Sequence, residues 1–530
     1  MDRRDFLKKA SLGAAVVAGS SFLAGCNTTS AIPPASTPQA WDHEADVVVV
    51  GSGNGGMSAA AAAAYGGKKV VVAEVSRYLG GGCLYSGGNL HSWGIFDWET
   101  YNKYAEGLAD YAKSKKYIET LWDVYYPWLQ EIGAPTSPQK DFPKAANPNA
   151  NGVLIGDTSL PGFKRQQSYF DHLEKYITGK GGTILRRTKG YRIVLDDAGT
   201  ISGLHAVNMD DKSDVYIKAP NIILAAGGYQ ANKGMLAQYI GPYAETIRTY
   251  GTPYNTGSGL LMGLSVGARA TGNFAGFSGG PVAMVPGPKT EDDPVAWEEA
   301  RGGDLEASLP GINKGRPSLP FGWSAYNMMY PERGTSGIFV NLHGKRFFDE
   351  TSEMHKYARL PVELTQQKGG RCFLIADQAA YDADPTSKNY FEAITKQGGT
   401  IVSGNSLEEF AQNMYKTFGV YEKPLIKTIK EFNAAIDAGT ADALDIPRRH
   451  GQTKIATAPY YGICATSGAY FTFGGLDINE NSQVLDLMGE PIPGLYAAAP
   501  TAAFHREVYL GGNATAGVTG YLAGIHIAKK

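Results

Sequence analysis

The chain has only four cysteines in 530 residues, and no CxxC or CxxCH pattern occurs. Haem c attachment, zinc ribbons and cysteine-ligated iron–sulfur clusters therefore have no sequence support, and no metal site is expected. Cys83, Cys372 and Cys464 read as buried structural thiols. Charge of one sign is also missing: 49 Lys and Arg stand against 51 Asp and Glu, a net charge of −2. No basic surplus points to nucleic acid. Long repeats and low-complexity tracts are absent, and Ala10–Ala24 is too short and too rich in alanine and glycine to be a good membrane span. Glycine, by contrast, is abundant at 67 residues.

The first 26 residues read as an export signal rather than as fold. Arg3-Arg4-Asp5-Phe6-Leu7-Lys8 is a twin-arginine pattern, and Leu23-Ala24-Gly25-Cys26 resembles a lipoprotein box. Two readings stand at Cys26: a lipidated mature N-terminus, or an ordinary cleaved signal with an incidental cysteine. Residues 27–44 are polar and proline-containing, the composition of a tether. Lipid anchoring at Cys26 would place the protein at the cell envelope, on the periplasmic side of the membrane. Twin-arginine export carries folded proteins, which suits a chain that acquires a cofactor before leaving the cytoplasm.

Ala45–Glu74 is the most informative segment. An apolar strand pattern (Val47–Val50) leads into Gly51-Ser-Gly53-Asn54-Gly55-Gly56, then an alanine-rich helix, then a second strand ending at Glu74. That order is the dinucleotide-binding context a bare GxGxxG lacks. Gly51 permits the tight turn, Gly53 lets backbone approach a pyrophosphate, and Gly56 lets helix and strand pack closely. The helix N-terminus faces the phosphate charge. Glu74 is placed to accept hydrogen bonds from a ribose.

About 500 residues remain after the signal, more than one ordinary core holds, so two domains are expected. The sequence divides into a dinucleotide domain at 45–264, a capping or substrate domain at 265–455, and the rest of the first domain at 456–530. Gly80–Asn89 carries almost no bulk, which lets backbone lie against a flat ligand. Helices are expected at Trp98–Tyr111, Lys116–Ile132 and Ser168–Ile177, paired strands over Thr183–Val207, and a buried strand at Asn221–Ala226. Gly276–Gly322, rich in glycine and proline, reads as a long functional loop. Gly337–Phe348 reads as a hairpin, and Leu407–Lys416 and Pro424–Ala438 as helices.

Six ordered segments resemble the fumarate reductase flavoproteins, a superfamily that includes the 3-ketosteroid dehydrogenases. They are GSGNGGMSAAAAAA with GGGCLYSGGN, AAGGYQANKGML, NTGSGLLMG, NLHGKRFFDE, IPGLYAAA and LGGNATAGVTGYLAG. The resemblance implies an α/β protein with a Rossmann-like FAD-binding domain (GR2-type) and an inserted α+β capping domain. It implies FAD, with Asn54 and the Gly51–Gly56 turn at the phosphates and Glu74 on the ribose. Ser86, Gly87 and Gly88 then lie near the isoalloxazine, Ala226 and Gly227 beside it, and Gly512, Asn513 and Ala514 at its pyrimidine side. No histidine stands in Gly80–Asn89, where complex-II relatives attach the flavin, so FAD is expected to be non-covalent.

The family's catalytic positions are not reproduced. The proton-delivering arginine four residues beyond the glutamate of "GxRFxxE" is Met354 here, counted from Glu350. The histidine before "TMGG" is Phe471, and the carboxylate-clamping arginine of "NRLGGN" is Tyr509. A buried site without those cations leaves two substrate carboxylates unpaired, at a cost of several kcal/mol, which argues against fumarate. Ketosteroid dehydrogenases also place a tyrosine before their C-terminal glycine loop, so Tyr509 either polarises a substrate ketone or packs under the flavin. His355, one residue past the lost arginine, is either an acid in the site or a structural histidine. Arg333 matches a proton-relay arginine of the fumarate enzymes, or simply braces Glu332. His505 matches a family histidine near the flavin. Trp323, Tyr326 and Tyr330 suit a flat apolar substrate or the core of the cap.

The expected activity is reduction of a C=C bond conjugated to a carbonyl, an enone or enoate other than fumarate, at the FAD. Electrons would come from a separate membrane redox partner, with the substrate serving as terminal acceptor in anaerobic respiration. The runner-up is oxidation of the 3-ketosteroid Δ1 type. From another class stands a non-catalytic flavin-carrying lipoprotein.

Overall fold

The computed structural model describes residues 33–91, 97–104, 110–139, 152–160, 162–249, 251–286, 312–313, 316–317, 336–351, 359–384, 387–504 and 511–530. Its first layer is a six-stranded sheet in the order Gln483–Leu485, Pro491–Ala497, Asn221–Leu224, Val47–Val50, Val70–Ala73, Thr183–Leu185. All pairs are parallel except the hairpin between the first two strands. The all-apolar Val47–Val50 and Val70–Ala73 runs are buried on both faces, as a parallel sheet demands. Val47 and Val49 enter one core and Val48 and Val50 the other.

On the first of those faces lie the helices Asn54–Tyr65 and Gly512–Ala528. Their seam is made of small residues: a Cβ on Gly520 would stand 1.9 Å from the Gly55 carbonyl oxygen. The opposite face carries an antiparallel meander of Thr188–Leu195, Ile201–Asn208 and Asp214–Lys218. Ala35–Ser36 and His43–Glu44, from the segment expected to be tether, add parallel edge strands on either side of that meander. Trp41 between them lies against Gly203, where a Cβ would come within 2.5 Å of the indole. This stretch covers two sheet edges that would otherwise expose unpaired backbone.

A second sheet is built around the 13-residue strand Tyr460–Thr472. It pairs with Phe277–Ala283, Arg371–Asp377 and Ile401–Gly404, all antiparallel, and with Arg248–Thr249 in parallel. Phe277–Ala283 corrects the expectation of a loop from Gly276 onward, because every residue of it is buried strand. Gly279 explains the composition: a Cβ there would meet the Gly468 oxygen at 2.0 Å, so glycine permits the close pairing. The expected Gly337–Phe348 hairpin also resolves differently. Ile338–Val340 pairs with Arg371–Asp377, and only a single bridge, Val340 to Arg346, closes the turn behind it. Helices Leu407–Phe418 and Glu422–Asp437 cover this sheet, the first capped by Ser406, whose hydroxyl accepts from the Glu409 amide. Among the described residues no helix is long and apolar enough to cross a membrane.

Asp477 ties remote elements together, accepting from Lys113 at 3.0 Å and from Arg269 at 2.6 Å. Burial raises its pKa, but Lys113 and Arg269 outweigh that and hold the carboxyl below its usual value. A depressed carboxylate stabilises the fold above its unfolded pKa of about 3.9, and the gain is lost as pH falls through the folded value. Asp477→Asn should therefore cost about 1–2 kcal/mol near neutral pH and little at the acid end. Urea unfolding at neutral and acid pH checks this; equal losses at both would refute it.

Candidate active site

The strand Val47–Val50 delivers the chain into a cleft of about 540 Å³, within the range of about 300–1,000 Å³ usual for small-molecule sites. Gly51 turns the backbone at φ +99°, and a Cβ there would meet the Ala225 oxygen at 2.5 Å. Gly53 is the N-cap of helix Asn54–Tyr65 and, having no side chain, leaves its first turn without an N-cap hydrogen bond. A Cβ on Gly53 would find nothing nearer than 3.9 Å, so this position opens onto the cleft. Gly56 does not line the cleft; its Cβ would stand 1.9 Å from the Gly51 oxygen, which is the close helix–strand packing expected of it.

Glu74 is oriented within the turn. One carboxylate oxygen accepts from the Ser52 amide at 2.7 Å and the Ser52 hydroxyl at 2.5 Å, and the other from the Ser76 amide at 2.7 Å. Lys189, Met209 and Tyr254 line the cleft with it, and Arg187 behind them pairs with Asp210 at 3.0 Å. Sequence reasoning missed these residues because they come from a meander strand and two loops with no motif.

Across the cleft, the glycine loop forms a short 3₁₀ turn at Gly81–Tyr85. Ser86 is its hub: its hydroxyl donates to the Cys83 carbonyl at 2.7 Å and accepts from Gly88 N and Asn513 Nδ2, each at 3.0 Å. Gln166 and Arg165 hold the loop from behind, donating to the Ser86 and Gly87 carbonyls at 2.7 and 2.8 Å. Gly88 itself is buried and does not line the cleft. The Cys83 sulfur accepts from the Asn54 amide at 3.4 Å. Burial pushes this thiol up to about 11, so it stays neutral beside the helix end and does not repel an incoming phosphate.

Asn54 couples both helix ends, donating to the Asn513 carbonyl at 2.7 Å. Helix Gly512–Ala528 also begins without a side-chain cap, so two helix N-termini converge on one cleft. Gly512 and Asn513 line it and Ala514 sits behind them, fully buried. Ala226 and Gly227 complete the wall, with Asn255 filling the space a Gly227 side chain would need. Phe471 lines the cleft against Gly512, beside Tyr470. Tyr509, His355, Arg333 and His505, and with them Met354, Trp323, Tyr326 and Tyr330, lie outside the described residues.

Two helix starts with glycine N-caps, glycine-lined approaches and an oriented carboxylate fit a dinucleotide carrying a flat ring system. The chain matches the family described as FAD binding domain over residues 46–302 and 318–515. It is 29% identical over 395 residues to NADH:acrylate oxidoreductase of Vibrio harveyi, covering 73% of this chain and 34% of that protein. The chain thus spans about a third of the length of that relative. It is 27% identical over 492 residues to urocanate reductase of Eggerthella lenta, covering 89% of this chain and 72% of that protein. Its fold is similar to that of 3-ketosteroid delta1-dehydrogenase from Sterolibacterium denitrificans, with a TM-score of 0.71, 18% identity, and coverage of 92% of this chain and 100% of that one. The chain belongs to the FAD binding domain family, and FAD is its cofactor.

Proposed function

We propose that the protein reduces a C=C bond conjugated to a carbonyl, in an enone or enoate other than fumarate. Bound FAD supplies the hydride, from its N5. The helix start at Gly53–Gly55 would hold the pyrophosphate, and Glu74 would take the ribose hydroxyls. Ser86, Gly87, Ala226 and Gly227 would flank the ring system, with Gly512 and Asn513 at its pyrimidine edge. Arg165 and Gln166 keep the loop backbone in place, which fixes the ring against the substrate.

The observation that carries the choice of substrate is Phe471. It lines the cleft against the start of the C-terminal helix, at the position where the fumarate enzymes carry a histidine. An apolar ring there suits a substrate with an apolar or aromatic flank and gives the second carboxylate of fumarate no partner. Tyr509 would polarise the substrate carbonyl, and proton delivery at the α-carbon is assigned to one of His355, Arg333 and His505. Export by the twin-arginine signal and a lipid anchor at Cys26 rest on the N-terminal sequence, and a separate membrane electron donor rests on a sequence with motifs for one FAD and no CxxCH haem pattern.

The test is anaerobic. Protein reduced with dithionite is mixed with a simple enone, acrylate, fumarate or a 3-ketosteroid, and flavin reoxidation is followed by absorbance. An enone or enoate should reoxidise it at least tenfold faster than fumarate. Turnover only with a saturated ketosteroid and an artificial acceptor would replace reduction by the Δ1-type oxidation. No reoxidation by any of them would favour a flavin carrier.

A further inference from the structure

Beyond the glycine loop the chain forms the two-residue strand Asn89–Leu90 and then His91. Alternation along an extended chain sends residues 89 and 91 to one side and residue 90 to the other. Leu90 is fully buried in the core, while Asn89 and His91 both line the cleft. His91 is only 4% exposed. Its ring abuts the cap of the C-terminal helix: a Cβ on Gly511 would stand 3.1 Å from both Cε1 and Nδ1. Gly511, at φ +91°, thus makes room for an imidazole at the start of that helix. Asn89 adds an independent pointer, because its Oδ1 is buried without a hydrogen-bond partner among the described residues. A buried acceptor of that kind calls for an N–H donor, and the pyrimidine ring of a flavin carries one at N3.

We propose that Asn89 and His91 form a side-chain wall against the pyrimidine edge of the flavin, and that His91 takes up a proton when the flavin is reduced. The proposal rests on the reading that the ring lies between the loop at Ser86 and Gly87 and the start of the Gly512 helix. The balance is two electrons from an external reductant and one proton into the flavin, leaving it anionic, plus one proton from solvent onto the imidazole. An imidazolium then faces the new negative charge beside the helix start, where a neutral ring faced an uncharged flavin. Other titratable or charged groups around this wall, among the described residues, are Cys83 and Tyr85 on the loop, Arg165 behind it and Tyr470 on the long strand. Glu74 and Lys189 lie with the ribose-side residues.

The experiment is a redox titration of the FAD-loaded protein with dithionite and indicator dyes between about pH 7 and pH 8. Each proton taken up with two electrons shifts the equilibrium tenfold per pH unit, which is about 30 mV. The parent protein should fall by about two such steps per pH unit and His91→Gln by about one. His91→Lys, with a charge that does not titrate in this range, should also show one step but keep a higher potential than His91→Gln. A parent slope of one step overturns the proposal without any variant, as does a two-step slope in His91→Gln. Neither outcome touches the substrate reading, because no substrate is present. Failure of the protein to bind FAD at all would remove both.

Discussion

Gly53→Ala will fold as the parent does and lose FAD affinity, whereas Gly56→Ala will lose stability and cofactor together. The two glycines are three residues apart in one turn, yet their surroundings differ completely. At Gly56 the new methyl would stand 1.9 Å from the Gly51 oxygen and 2.9 Å from its carbon. Both are backbone atoms of the turn that the sheet holds in place, so the helix itself would have to lift. Overpacking in cores where side chains can yield costs about 1–3 kcal/mol, and a clash with backbone belongs at or beyond the top of that range. At Gly53 the backbone is at φ −61°, which alanine adopts freely, and nothing lies within 3.9 Å. There the methyl would fill only the space left for the pyrophosphate. A tenfold or greater loss of FAD affinity, about 1.4 kcal/mol, is expected with apoprotein melting unchanged. FAD titration and thermal unfolding of the apoproteins decide it. Parental melting of Gly56→Ala, or parental affinity of Gly53→Ala, would defeat the assignment.

That contrast shows which parts of the molecule the sequence displayed. The turn around Gly51–Gly56 was readable because strand, glycines, helix and Glu74 are contiguous and each has a local physical reason. The same holds for the helix expected at Leu407–Lys416, which forms over Leu407–Phe418. Phe277–Ala283 was not readable, since two glycines and a proline mask a strand whose need for glycine comes from Gly468, almost 200 residues away. Ala35–Glu44 has tether composition but gains its partners from Val194, Leu195, Ile217 and Lys218. Asn89 only closes the GGGCLYSGGN segment, and His91 lies outside every motif. Their meaning depends on Gly511 closing beside them, a contact spanning more than 400 residues. Tertiary approach, rather than local propensity, made each of these illegible.

Glu350→Gln should destabilise the second sheet's region by about 3–5 kcal/mol, the range for breaking a buried ion pair. Glu350 and Arg448 are fully buried, and the Arg346 side chain is 6% exposed. One carboxylate thus stands between two guanidiniums, paired closely with Arg346 and at 3.4 Å from Arg448. Burial lowers the pKa of Arg448, a sign that its charge is held at a cost. Glutamine keeps the shape and can still accept from the Phe339 amide, now at 2.9 Å, so the substitution isolates the charge. It leaves two buried cations facing the Phe432 ring, 5.3 and 5.7 Å away, backbone carbonyls and the field of Asp349 at Arg448. Replacing the whole triad with apolar residues is often neutral in other proteins. Here it should not be, because Arg346 donates to the Ile446 and Pro447 carbonyls and Arg448 to those of Gly337 and Gly451. Those carbonyls would lose their donors, each at about 1–3 kcal/mol if left buried and unpaired. Denaturant unfolding of Glu350→Gln and of the Arg346→Met/Glu350→Leu/Arg448→Met protein measures both effects. A loss under 1 kcal/mol in either would mean that water reaches the triad and screens it.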